Sequence, residues 1–206
     1  MSRIFGSLFA LLFALDAHAV TLLSANLTHS QETTQGVLLT STGDPRPLSF
    51  GSGTFIINDA MTNMSFVVDI FNIDVTGSQT ADTFDNLVAA HIHGPAAPGS
   101  NGPVRWGFFG APDNDVAPSD LVVTPFAGVG GRFTSTWDAT EGNAGTNFAV
   151  QLPNILAGLT YINFHTVQFG GGEIRGQLLL VPEPAVLLLV AIALLAVVIQ
   201  HRRGRS

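Results

Sequence analysis

Residues 51–73 read Gly51-Ser52-Gly53-Thr54-Phe55-Ile56-Ile57-Asn58-Asp59-Ala60-Met61-Thr62-Asn63-Met64-Ser65-Phe66-Val67-Val68-Asp69-Ile70-Phe71-Asn72-Ile73. Two apolar runs, Gly51–Asn58 and Met64–Ile73, flank a polar break that carries Asn and Asp. Short runs rich in Phe, Ile and Val and bounded by turn residues read as strands. The pattern continues in both directions, with further strands expected at Thr21–Thr28, Gly36–Thr40, Leu87–His93, Val104–Phe109, Gly130–Thr136, Asn147–Gln151, Tyr161–Val167 and Glu173–Leu180. Thr140–Leu156 is the one place for a short helical turn, weakened by Gly142, Gly145 and Pro153. The loops Thr76–Phe84 and Ala111–Asp120 are polar and rich in Pro and Asp. Many short antiparallel strands predict an all-β sandwich or barrel with no helix longer than about ten residues. There is no linker inside the body and no convincing internal repeat.

The 206-residue length suits one domain, and 15 Phe with many Val, Ile and Leu supply a core, which excludes disorder. Charged residues are only 11% of the chain, against about 25% in an average soluble protein. With no Cys, disulfide scaffolds and thiolate metal sites are excluded. The net charge is −7, and the body between Val20 and Leu180 holds four Arg against thirteen acids. That balance argues against nucleic acid as a partner.

Both ends carry addresses. Arg3, the apolar stretch Ile4–Leu15 and the small-residue site Ala17-His18-Ala19 form a signal peptide over 1–19, with Val20 as the mature start. The alternative, an uncleaved anchor, suffers from an apolar run too short to span a bilayer comfortably. At the other end come Pro182-Glu183-Pro184, an uncharged apolar segment from Ala185 to Ile199, and Arg202, Arg203 and Arg205. As helix, that segment reaches about 22 Å at 1.5 Å per residue, short of a hydrocarbon core of about 30 Å. The terminal Arg hold their end on the cytoplasmic side, so the body faces outward. Residues 181–206 resemble the PEP-CTERM sorting signal of Gram-negative bacteria. The resemblance implies recognition of Pro182, Glu183 and Pro184 by an exosortase, removal of the single membrane helix, and release or transfer of the body to the cell surface. A plain tail anchor is the alternative.

Three pieces of the body stand out: Ala89-Ala90-His91-Ile92-His93-Gly94-Pro95 with Asn101-Gly102-Pro103-Val104 after it; Tyr161-Ile162-Asn163-Phe164-His165-Thr166; and Gly172-Glu173-Ile174-Arg175-Gly176-Gln177. Together with Leu27–Glu32 they resemble the CHRD (chordin-type) domain over nearly all of 20–180. The stretch Trp106–Thr136 departs from the family as an insertion, and Val167–Gly170 differs at a turn. The resemblance implies an immunoglobulin-like antiparallel β-sandwich and names a module rather than a reaction.

His91 and His93, two apart on a strand, share one face, and their Cα atoms stand about 6.6 Å apart at 3.3 Å per residue. His165 shares a face with Tyr161 and Asn163. If these strands are neighbours, three imidazoles converge, a set suited to Zn or Cu with a water or carboxylate as fourth ligand. Copper–zinc superoxide dismutase also has a His-x-His strand in a β-sandwich, but the further histidines of its bridged site have no counterparts here. The competing reading gives all three imidazoles buried hydrogen bonds and no metal. The sequence favours it, because no fourth ligand is identifiable.

Glu173 and Arg175 share a strand face with Gln177 and are expected in a cross-strand ion pair or surface network. Asp113-Asn114-Asp115 and Asp82-Thr83-Phe84-Asp85 hold oxygen ligands for Ca²⁺ but lack a twelve-residue loop pattern, so solvated acidic loops are expected. No nucleophile elbow or HExxH occurs. The sequence therefore points to a non-enzymatic, exported surface or matrix module. Its expected partners are exosortase, extracellular polysaccharide or envelope proteins, and the membrane until processing. A His-ligated Zn or Cu protein is the alternative.

Overall fold

The computed structural model of the protein describes residues 20–182 together with 192–194, 196 and 201. The expected signal peptide, Glu183 and Pro184 of the sorting motif, and most of the C-terminal apolar segment lie outside the described residues. Among the described residues no helix is long and apolar enough to cross a membrane.

The elements are β1 (Thr21–Thr28), β2 (Phe50–Ile57), β3 (Met64–Phe71), β4 (Leu87–His93), β5 (Val104–Gly110), β6 (Val122–Pro125), β7 (Gly130–Trp137), α1 (Phe148–Leu156), β8 (Tyr161–Thr166), β9 (Ile174–Gln177) and β10 (Leu179–Leu180). β2 and β3 form a hairpin, with Gly51 opposite Ile70 and Ile57 opposite Met64. Asn58 closes its turn by accepting, through Oδ1, the N–H groups of Thr62 and Asn63. Along β2 burial alternates residue by residue, as period-two patterning requires.

The strands follow one antiparallel path, β5-β4-β8-β9-β1-β2-β3-β7-β6, with β10 also on β1. Four strands (β5, β4, β8, β9) join the rest through β1, where Thr28 pairs with Arg175. The path curls on itself. Phe66 of β3 meets Trp106 and Phe108 of β5, and Phe133 of β7 meets Phe164 of β8, although these strands lie far apart in the order. The architecture is thus mostly β, a curled antiparallel sheet around an aromatic core with the short helix α1. The expected pair of immunoglobulin-like sheets is met only in this coarser sense, because β1 makes the two halves one sheet.

Two expectations need correction. Asn147–Gln151 is not a strand: Asn147 Oδ1 accepts the Val150 N–H as an N-cap, and the nine-residue α1 buries Phe148, Gln151 and Ile155. Pro153 is tolerated because its missing N–H deprives only the carbonyl of Ala149, a solvent-exposed residue. Gly36–Thr40 contributes only the isolated bridge Leu39↔Pro45, since a turn closes at once with Thr40 N–H on Asp44 O. The stretch Trp106–Thr136 supplies Trp106, Phe108 and Phe133 to the core.

The sheet region that matters most is β4-β8-β9. Ala90, Ile92, Ile162, Phe164 and Ile174 enter the apolar core. The opposite face carries His91, His93, Tyr161, Asn163, His165, Arg175 and Gln177, and these are buried as well. A polar layer beneath covering loops has therefore formed where sheets usually meet solvent.

Candidate functional site

β4 and β8 are neighbours, with His91 opposite Asn163, His93 opposite Tyr161, and Ala89 opposite His165. The two-residue spacing puts His91 and His93 on one face, and the pairing adds His165 diagonally. One ring nitrogen from each of the three lies within 4.8 Å of the others. His29, the remaining histidine of the body, is elsewhere, with ring nitrogens on Glu173 O and Gly36 O.

Each imidazole is fixed by a backbone carbonyl on a covering loop. His91 Nε2 stands 3.1 Å from Ala111 O, His93 Nδ1 3.0 Å from Gly102 O, and His165 Nδ1 3.1 Å from Gly170 O. The first loop folds back over β5, where Gly107 is required: a Cβ there would stand 1.8 Å from Pro112 O. The third is the Gly170–Gly172 turn, in which Gly172 has a φ of +126° and a Cβ would fall 2.5 Å from Asn163 Nδ2.

Carbonyl oxygen only accepts, so each of these ring nitrogens carries the proton. A neutral imidazole has one N–H. The lone pairs then reside on His91 Nδ1, His93 Nε2 and His165 Nε2. His91 Nδ1 and His165 Nε2 are 3.2 Å apart, and buried His93 Nε2 has no hydrogen-bond partner. An extra proton does not resolve the clash of lone pairs. Burial lowers the His91 pKa, takes that of His93 down to about 4, and with the nearby His91 and His93 takes that of His165 to about 3. Each ring thus has one nitrogen in a buried hydrogen bond to a carbonyl; the second nitrogens of His91 and His165 face each other, and that of His93 has no partner.

The surroundings hold the rings in place. His93 stacks on Tyr161 with centroids 4.9 Å apart, and the Arg175 guanidinium carbon stands 4.4 Å from the Tyr161 centroid. Arg175 Nε donates to Glu32 Oε2 at 2.8 Å, and its Nη2 donates to Asn101 Oδ1 at 2.8 Å. Burial nevertheless raises the Glu32 pKa.

The CHRD domain model matches residues 23–178. The chain belongs to the CHRD domain family. No curated protein matches the chain, and no solved structure matches it.

Within the CHRD domain, two other groups of predicted residues have different partners from those expected. Glu173 and Arg175 do not pair across strands: the direct neighbours of Arg175 are Thr28 and Asn163, both uncharged. Their counter-ions come from loops, Arg46 for Glu173 and Glu32 for Arg175. Ser49 and Thr166 also donate to the Glu173 carboxylate. The acidic loops are not simply solvated. Asp85 and Asp115 are buried, Thr80 donates to Asp85, and Ser135 donates to Asp115. Among residues that sequence reading did not place at the site, Glu32 and Asn163 matter most. The only signal was that Asn163 shares a strand face with His165.

Proposed function

We propose that this chain is an exported bacterial surface or matrix module, without a catalytic role, whose CHRD domain holds one Zn²⁺ or Cu²⁺ through His91, His93 and His165. The observation that carries the reading is the convergence of three carbonyl-fixed imidazoles, one ring nitrogen of each lying within 4.8 Å of the others. In metal sites the non-ligating ring nitrogen donates to a carbonyl or carboxylate in this way, fixing the tautomer. The immunoglobulin-like sandwich belongs to the same reading, supported by the two halves of the sheet facing each other across the Trp and Phe core.

Export is supported by Arg3, the apolar stretch after it and Ala17-His18-Ala19. Surface sorting is supported by Pro182-Glu183-Pro184, the short apolar segment and the terminal arginines. In this reading exosortase is the processing partner, the C-terminus is a transient membrane anchor, and the processed body meets envelope proteins or extracellular polysaccharide.

Elemental analysis of protein purified from the envelope or medium tests the metal. The expected result is close to one Zn or Cu per chain, loss of thermal stability on chelation, and recovery on adding the ion, since a ligand that binds only the folded state stabilises it. His91→Ala, His93→Ala and His165→Ala each abolish the recovery. A metal-free protein whose melting temperature ignores both ions refutes the reading.

A further inference from the structure

Four buried polar atoms on this face lack hydrogen-bond partners: His93 Nε2, both side-chain atoms of Asn163, and Glu32 Oε1. Asn163 is 1% exposed and Glu32 4% exposed, so bulk water does not serve them. A buried carboxamide with neither its donors nor its acceptor used is costly, and such groups call for an explanation.

Their placement supplies one. Asn163 lies directly opposite His91 on the neighbouring strand and two residues from His165 on the same face. The lone pair of His91 is on Nδ1, the ring nitrogen nearer the backbone. Ligation through Nδ1 draws an ion down onto the sheet beside His91, toward its cross-strand neighbour Asn163. On the other side, Asn163 Nδ2, Asn163 Oδ1 and Glu32 Oε1 lie 2.5, 2.6 and 2.7 Å from the point where a Cβ on Gly172 would stand. The carboxamide and the free oxygen of Glu32 thus come together beside Gly172, on the sheet face that carries the three histidines.

We infer that Asn163 is the fourth ligand of the metal, through Oδ1, with its Nδ2 donating to Glu32 Oε1. This assignment rests on the three-histidine reading above. One ion then gives partners to all four unsatisfied atoms at once: His93 Nε2 and Asn163 Oδ1 bind it, and the freed amide N–H meets the Glu32 carboxylate. Arg175 holds that carboxylate by its other oxygen. Three nitrogens and one oxygen fill all four positions of a tetrahedral ion, with Asn163 in the place that a three-histidine site otherwise leaves to water. Tetrahedral bonds of 2.0–2.1 Å place ligand atoms about 3.3 Å apart, and His91 Nδ1 and His165 Nε2 are already 3.2 Å apart. A closed sphere leaves no position for substrate, in keeping with a binding module rather than an enzyme.

Cobalt loaded into metal-free full-length protein tests the assignment. The expected wild-type visible spectrum is that of four-coordinate Co²⁺, and azide leaves it unchanged because no exchangeable water is bound. Asn163→Leu keeps the volume and removes no existing hydrogen bond, so the fold persists. It weakens Co²⁺ binding by at least roughly 10–100-fold, since loss of an outer-shell partner alone costs that much, and makes the spectrum respond to azide. A wild-type spectrum that shifts with azide, or N163L binding Co²⁺ as tightly as wild type, overturns the Asn163 assignment and leaves the three histidines standing. If no Co²⁺ binds, both readings fall.

Discussion

Arg175 and Tyr161, on adjacent strands, are in cation–π contact, the guanidinium carbon 4.4 Å from the ring centroid. From the β4 side His93 lies nearly parallel to the same ring, the two planes 8° apart. Tyr161 therefore positions one metal-binding candidate and one buried cation. Its hydroxyl accepts the Gly102 N–H at 3.2 Å, and Gly102 O in turn fixes His93.

Tyr161→Phe keeps the ring and loses the hydroxyl contact. The expected cost is about 1 kcal/mol, with metal affinity little changed. Tyr161→Ala removes the surface under His93 and Arg175 and costs about 3–5 kcal/mol. It also weakens metal binding. Urea titrations with and without Zn²⁺ separate the two effects. Equal losses of stability in both variants contradict the positioning role.

The Glu32–Arg175 pair closes a loop onto β9, and both side chains are almost fully buried. Removing one partner leaves a buried charge, so Glu32→Leu or Arg175→Leu alone is expected to cost about 3–5 kcal/mol. The double variant loses less than the sum, because neither charge is stranded. A double-mutant cycle measures the coupling. Strict additivity shows that the two side chains do not act as a pair.

How much of this could be read from the sequence depended on the range of the forces involved. β1 and β4 have the expected boundaries because alternation and flanking turns are local signals. The shared face of His91 and His93 follows from strand period alone. Convergence with His165 required knowing that β4 and β8 are neighbours, which no local pattern states. The partners Glu32 and Arg46 were invisible for the same reason, since each reaches its counter-ion from a distant loop. β6 was missed because Val122–Pro125 is a short edge strand, ending in Pro and paired only with β7. Asn147–Gln151 misled because Asn is a turn residue and a cap alike, and the capping bond decided for helix.

Glu141 joins the core to the loop after β5. Its Oε2 accepts from Trp106 Nε1 and the Asp138 N–H, and its Oε1 accepts from the N–H groups of Val116 and Ala117. All four are donors, so both oxygens must be acceptors. Glu141→Gln forces an NH₂ group against two of these donors whichever way it is turned. The expected loss is about 2–4 kcal/mol, read as a lower urea midpoint with unchanged m. A neutral result shows that the loop rearranges at no cost.

The histidine cluster sets a pH dependence in the metal-free protein. An unfolded chain titrates histidine near 6.5, whereas burial holds His93 near 4 and, with its neighbours, His165 near 3. Between these values the unfolded state binds protons that the folded state does not, so stability rises with pH. The contribution is complete above pH 6.5 and is lost as pH falls toward 4. From pH 7 to pH 5 each of these two residues removes on the order of 2 kcal/mol. Asp85 and Asp115, whose pKa values burial raises, act with the opposite sign. The histidine share is isolated by comparison with His165→Phe, which keeps a flat ring and cannot take a proton. Urea midpoints of chelator-treated wild type should fall more between pH 7 and pH 5 than those of H165F. Parallel midpoints in the two proteins exclude His165 as a buried neutral base, and with it the lone pair offered to a metal.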